Sequence, residues 1–451
     1  MGTAPLFSCG KIGALSLIKG LKTGTMNDFD YKNDHLFCEE VPVETIAREA
    51  GTPLYLYSHR TLLRHFRVFD AAFEEVPHIV CFAVKANPNT AILKIFVREG
   101  GGMDIVSGGE LYRALKAGAE PGKIVYSGVG KRDEEIDFAL QTGILMFNVE
   151  SGQELETINA RAERLGVRAG IALRVNPDVD PQTHPHISTG LKENKFGINV
   201  EASLMAYRQA AGMKHLDIKG VSCHIGSQVT KLSPFIDALT RLKELIRRLR
   251  ETGIMIRYLD LGGGLGITYD RETPPHPSEY ARAIIDTARE LDCTFIFEPG
   301  RVIVGNAGIL VSRVLFTKVN DGKTFIIIDA GMNDLIRPSL YSSYHRIQPV
   351  LRQERAEITA DVVGPICESG DFVAKGRKLP AFERGELLAV MSAGAYGFSM
   401  SSTYNSRPRI PEILVRDDRY AVIRRRESYE DLILGEQIPE FMSEPGLGDK
   451  D

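Results

Sequence analysis

The chain has 451 residues, with 55 Lys+Arg against 59 Asp+Glu and 43% hydrophobic residues. That length suits about two to four domains, and a formal net charge of −4 offers no basic stripe for nucleic acid. No apolar run reaches the roughly 18 residues of a membrane span. The six cysteines are scattered without a C-x-x-C pair, which points away from zinc or a disulfide framework and toward a reducing, cytoplasmic setting.

Residues 1–25 carry three lysines, no acidic residue and only a weak apolar stretch. They read as a dispensable extension rather than a signal peptide. Residues 26–60 begin an ordinary domain, and LYLYS at 54–58 is a strand suited to pairing with the C-terminal part of the chain. From there short apolar runs alternate with helical patterns. Strands are expected at 79–84, 103–106, 123–127, 144–149, 170–175, 218–225, 256–261 and 294–298, and helices at 133–141, 151–165, 201–212, 234–251 and 278–291. This alternation predicts an α/β fold, a (β/α)8 TIM-like barrel over 61–305. A doubly wound open sheet is the rival, but no G-x-G-x-x-G follows the first strand. After residue 305 the strand runs 309–319, 323–329, 358–363, 386–391 and 412–415 lack long helices between them. A mainly antiparallel β domain, barrel or sandwich, is expected over 306–451. Arg424-Arg425-Arg426 reads as a solvated strand end or a subunit contact.

In such barrels the chemistry sits at the C-terminal strand ends, and polar residues collect there. Lys85 follows the apolar run FAV; desolvation there favours a neutral amine suited to Schiff-base chemistry, although a snorkelling or ion-paired lysine is the plainer reading of that residue alone. Gly262-Gly263-Gly264 can bring backbone amides close to a phosphate or simply make a tight turn. His224, in HIGS with Ser227, can act as a base, stack flat on an aromatic ring, or hold structure. No second His or Cys stands at ligand spacing, which argues against metal. Glu298-Pro299-Gly300-Arg301 offers a carboxylate for a ring nitrogen and a guanidinium for an anion, or a mutual ion pair. Cys367 stands beside Glu368, where acids make it a proton donor rather than a thiolate, unless it is buried and inert. Tyr396, in an aromatic-rich loop, and the close pair Arg337 and Tyr341 complete the set.

Taken in order, FAVKAN (82–87), CHIGSQ (223–228), LGGGLGI (261–267), EPGR (298–301), RPSLY (337–341), GPICESGD (364–371) and AYGFSMSSTYN (395–405) resemble the pyridoxal-phosphate-dependent decarboxylases of the alanine-racemase-like barrel fold. The segment 174–198 reads the same way, and the likeness runs from about Met26 to Glu436. The resemblance implies pyridoxal 5'-phosphate in Schiff-base linkage with Lys85, and His224 stacked on its ring. Ser227, Gly262, Gly263, Gly264, Pro299, Gly300 and Arg301 would surround the phosphate, and Glu298 would hold the ring nitrogen. Arg301, Arg337 and Tyr341 would read a substrate carboxylate, and Tyr396 would touch cofactor and substrate. Cys367 and Glu368 would reach the site from a second subunit, making a homodimer with shared active sites, and Cys367 would reprotonate the α-carbon. Relatives acting on ornithine or arginine resemble GP-x-CDG instead of GPICESGD, so the expected reaction is meso-2,6-diaminopimelate to L-lysine and CO2, the last step of lysine biosynthesis. A decarboxylase for another basic amino acid, or a non-catalytic regulator, are the alternatives.

Overall fold

A computed structural model describes residues 26–180 and 195–442, so the extension 1–25 and much of the 174–198 segment lie outside the described residues. The chain begins with an antiparallel meander of β1 (Phe29–Lys32), β2 (His35–Cys38) and β3 (Val41–Pro42), strands too short for sequence periodicity to reveal. Next comes β4 (Leu54–Ser58). The strands β5 (His78–Ala83), β6 (Gly102–Ile105), β7 (Ile124–Tyr126), β8 (Met146–Val149) and β9 (Ala169–Asn176) follow. A two-residue β10 (Ile198–Asn199) adds to β9, and β11 (Leu216–Ser222), β12 (Tyr258–Asp260) and β13 (Thr294–Phe297) complete the series. Apart from β10, these strands pair in parallel and in chain order, and β13 returns to β5, closing an eight-stranded barrel. The expected strands lie within a few residues of these positions.

Successive residues of a strand face opposite sides, and that alternation decides what the barrel holds. Val80, Phe82 and Phe147 face the surrounding helices in the main core. Between them Cys81, Val125, Met146, Ala172 and Ile296 form a separate apolar plug. Two residues along from Val125, Met146, Ala172 and Ile296 stand Ser127, Asn148, Arg174 and Glu298, all buried. A polar layer therefore rests on an apolar plug. Short capped turns keep the mouth compact: the Ser107 and Ser151 hydroxyls each accept the backbone N–H three residues on, from Glu110 and Glu154 at 3.2 Å, satisfying first-turn donors of the helices Gly108–Ala117 and Gly152–Leu165.

The remaining strands are β14 (Gly308–Asn320), β15 (Lys323–Ile328), β16 (Ile347–Pro349), β17 (Glu357–Val363), β18 (Phe372–Pro380), β19 (Leu387–Val390), β20 (Glu412–Arg416) and β21 (Arg419–Arg424). They join β4 in the order β18-β17-β15-β14-β4-β20-β21, while β19 pairs with β14 and β16. Pairing is mainly antiparallel, but β15–β17 and β4–β20 are parallel, so the sheet is mixed. Within β4, Leu54 and Leu56 pack toward the N-terminal meander, whereas Tyr55 and Tyr57 face the barrel core. The arginine run divides three ways: Arg424 Nε donates to Glu412 at 2.8 Å, Arg425 Nη2 to Asp431 at 2.7 Å, and Arg426 Nη2 to the Pro53 carbonyl at 2.8 Å. Among the described residues no helix is long and apolar enough to cross a membrane.

Candidate active site

Lys85 sits in the helical turn Val84–Ala86 that ends β5, its side chain 34% exposed at the barrel mouth and its Nζ 2.5 Å from Asp104 Oδ2. Burial disfavours its charge, but the carboxylates of Asp104 and Glu298 outweigh burial and raise its pKa above the ordinary lysine value. The neutral amine expected from desolvation alone is thus reversed: with Asp104 at hand, Lys85 is held as the ammonium.

His224 follows β11, and its Nδ1 accepts the Gly263 N–H at 3.2 Å. Burial, then the charges of Arg174 and Lys85, push its pKa well below the usual imidazole value, so the ring is neutral. The glycine triplet makes this contact possible. At Gly262, with φ +65°, a Cβ would lie 2.8 Å from His224 Nδ1, and at Gly263 one would lie 2.2 Å from the Glu298 carbonyl oxygen. The Gly264 carbonyl accepts the Val229 N–H at 2.9 Å, so the triplet is both a tight turn and a close backbone approach.

Glu298 directly follows β13 and, among the described residues, makes no ion pair with Arg301; Ser127 Oγ and Asn148 Nδ2 each lie 3.3 Å from its Oε1, and its carboxyl also bonds that of Asp260. Burial and the neighbouring Asp104 and Asp260 carboxyls push its pKa well up. Pro299 passes its carbonyl to the Ala83 N–H at 3.1 Å, and Gly300 opens the short helix Arg301–Val304. Arg301 is buried, donating to Ser227 Oγ at 2.9 Å and to Tyr269 Oη at 2.6 Å, with its guanidinium 4.9 Å from the Tyr396 ring centre.

Tyr269, which sequence reasoning missed, joins two candidates, because the Arg337 guanidinium lies 4.8 Å from its ring centre. Arg337 opens the helix Arg337–Tyr341. Its Nη1 donates to His345 Nε2 at 2.9 Å, while His345 Nδ1–H donates to the Met391 carbonyl at 2.9 Å. Burial first, then Arg337, depresses the His345 pKa to about 3, which fits a neutral acceptor at Nε2. Tyr341 closes the same helix, half-buried, near enough to act electrostatically on Arg301. Tyr396 is placed by its N–H to the Ala86 carbonyl, 2.9 Å, beside Lys85.

Cys367 and Glu368 stand apart. Cys367 is exposed, its N–H donates to Asn405 Oδ1 at 2.8 Å, and Glu368 faces Tyr404; both partners belong to the β-sheet half of the chain. What anchors this loop is Asp371, whose carboxylate accepts the N–H groups of Met332 and Ile366, both at 2.7 Å. The other described cysteines, Cys38, Cys81, Cys223 and Cys293, are buried and unpaired.

Residues 59–305 match the family model for the pyridoxal binding domain of pyridoxal-dependent decarboxylases. The chain belongs to the pyridoxal-dependent decarboxylase family. It is 52% identical over 413 residues to the diaminopimelate decarboxylase of Pseudomonas aeruginosa, covering 92% of this chain and 99% of that one. Identity to the Vibrio cholerae diaminopimelate decarboxylase is 51%, over 90% of this chain and 98% of that one. Among solved structures, diaminopimelate decarboxylase from Helicobacter pylori complexed with L-lysine superposes with a TM-score of 0.84 at 44% identity, covering 87% of this chain and 98% of that one. The enzyme from M. jannaschii in co-complex with L-lysine gives 0.88 at 38% identity, covering 92% and 99%.

The residues present fit the family's cofactor. Arg301 Nε and Arg337 Nε are buried without a hydrogen-bond partner among the described residues, as is Asp104 Oδ1. Buried donors in surplus, beside glycines that leave no room for a side chain, suit a phosphate and a carboxylate. A lysine Nζ and a buried carboxyl, Glu298, at the same mouth suit an aldehyde and a pyridine nitrogen.

Proposed function

We propose that this chain decarboxylates meso-2,6-diaminopimelate to L-lysine and CO2 on pyridoxal phosphate held at the barrel mouth. The observation that carries the reading is the convergence of Lys85, His224, Glu298 and Arg301 on one polar layer above the apolar plug, together with the Glu368 that follows Cys367. When bound, pyridoxal phosphate supplies the sink for the electron pair left as CO2 departs.

The chain's own residues do the rest. Lys85 Nζ would be the point of covalent attachment, and Asp104 Oδ2, 2.5 Å away, holds that side chain in place at the mouth. His224, neutral and pinned through Nδ1, offers a flat face to the ring, and Glu298 meets the ring nitrogen. Ser227, the Gly262–Gly264 backbone, Pro299, Gly300 and Arg301 hold the phosphate. Arg337 and Tyr341, with Arg301, would bind substrate carboxylate, and Tyr396 would touch both cofactor and substrate. Exposed Cys367 and Glu368 complete the mouth of a second copy in a homodimer, where Glu368 pairs the distal ammonium and the Cys367 thiol returns a proton to the α-carbon. The buried, unpaired cysteines fit a reducing cytoplasm.

Turnover on meso-diaminopimelate, ornithine, arginine and lysine tests the reading. Preference for meso-diaminopimelate is expected, and faster ornithine turnover would reject it.

A further inference from the structure

The polar layer holds more acid than its visible chemistry uses. Asp260, at the end of β12, is fully buried, and Asn148, Ser127 and Glu298 are at most 6% exposed. The Asn148 amide bridges the two acids: Nδ2 lies 2.8 Å from Asp260 Oδ2 and 3.3 Å from Glu298 Oε1. Ser127 Oγ lies 3.0 Å from the same nitrogen and 3.3 Å from Glu298 Oε1. Asp260 Oδ1 accepts the Gly262 N–H at 2.9 Å, and Lys131 Nζ holds the Asn148 carbonyl at 2.9 Å. Four strand ends therefore converge on two carboxyls that bond each other and share one amide.

The charges nearby are already spent. Lys85 is paired with Asp104 and Arg174 with Glu150. Of the other groups facing the pair, the Cys81, Cys223 and Tyr280 side chains have pKa values pushed up by burial, and burial pushes that of His224 down, so all four are neutral. No unpaired cation among the described residues faces Asp260 and Glu298. Two adjoining buried carboxyls cannot both ionise without one, and they hold a proton between them. The direction agrees, since burial raises both acids, and Gly262 and Asn148 oppose the rise at Asp260.

We propose that Asp260 is a positioning residue for Glu298: through Asn148 it fixes that carboxyl in place and keeps one shared proton on the pair. A basic nitrogen placed against Glu298 then receives this proton from Glu298 Oε, leaving two carboxylates beside one cation, with no proton drawn from solvent. This deepens the proposed function and rests on it for the identity of that nitrogen.

The test is infrared spectroscopy of the full-length chain, stripped of cofactor, at mildly alkaline pH. There Glu110 and Asp334, which burial lifts to about 7, are largely ionised. Wild-type protein should show a protonated-carboxyl carbonyl band that is lost in both Glu298→Gln and Asp260→Asn, because either change leaves an acid with no partner to share with. Asp260→Ser, which keeps a hydroxyl for the Gly262 N–H, should lose the band as well and serves if Asp260→Asn does not fold. A band that survives in the Asp260 variants would overturn the proposal, and so would its absence from the wild type. Absorbance after adding pyridoxal phosphate separates the two claims: failure to bind rejects the reading of the site, while the band still decides the pair.

Discussion

The barrel mouth and the 364–371 loop both carry candidate residues but are built in opposite ways. At the mouth, side chains are locked by buried bonds: His224 by Gly263, Arg301 by Ser227 and Tyr269, Glu298 by Asn148 and Ser127. In the loop the backbone is locked by Asp371, while the Cys367 thiol stands exposed. Preorganised side chains suit a resident group present through every turnover. A rigid backbone that carries exposed side chains suits a surface completed by something else. The difference is what the proposed homodimer requires: a mouth built within one chain, and a loop turned outward to meet a second.

Substitutions can break that division, beginning with the largest effect. Lys85→Ala should abolish turnover and remove the visible absorbance of the lysine-bound cofactor, both followed spectrophotometrically. Cys367→Ala should lower kcat by roughly 10²–10⁴-fold, the range for losing a positioned acid, while that absorbance stays unchanged. Arg337→Lys replaces a planar fork with a point charge. It should lower kcat/KM by about 10–100-fold through KM, with cofactor affinity retained.

The smallest effect is on stability. His345 titrates at about 3 in the folded chain against about 6.5 unfolded. Below that upper value the unfolded state binds the extra proton, so stability falls as pH drops from about 6.5 toward 3. His345→Gln should remove on the order of 1–3 kcal/mol of that acid sensitivity, read from melting temperatures across the window. An unchanged acid limb would show that the Arg337–His345 contact carries no weight.

How legible each part was follows from the same physics. Barrel strands are buried on both faces and stand out as apolar runs, and the lone polar residue ending each run marked Lys85, His224 and Glu298. Asn148 and Asp260 carried the same signal, in MFNV and YLDL, but their side-chain partners stand on other strands, far along the chain, and no spacing gives such pairs away. Tyr269 and His345 were invisible for that reason, since they act on Arg301 and Arg337 across the fold. β18 and β21 escaped notice because edge strands are polar: KGRK occupies the middle of one and arginines bound the other. Lys85 was placed correctly, but its charge was not, because burial is readable from sequence and the facing Asp104 is not.

The central claim, that one chain supplies the cofactor half and a second supplies the Cys367 half, has a direct test. Lys85→Ala and Cys367→Ala proteins, each inactive, are mixed, dissociated and reassociated. One site of every mixed dimer then contains both intact residues, so the mixture should regain about a quarter of wild-type activity. Mixed dimers that form and remain inactive would contradict the account.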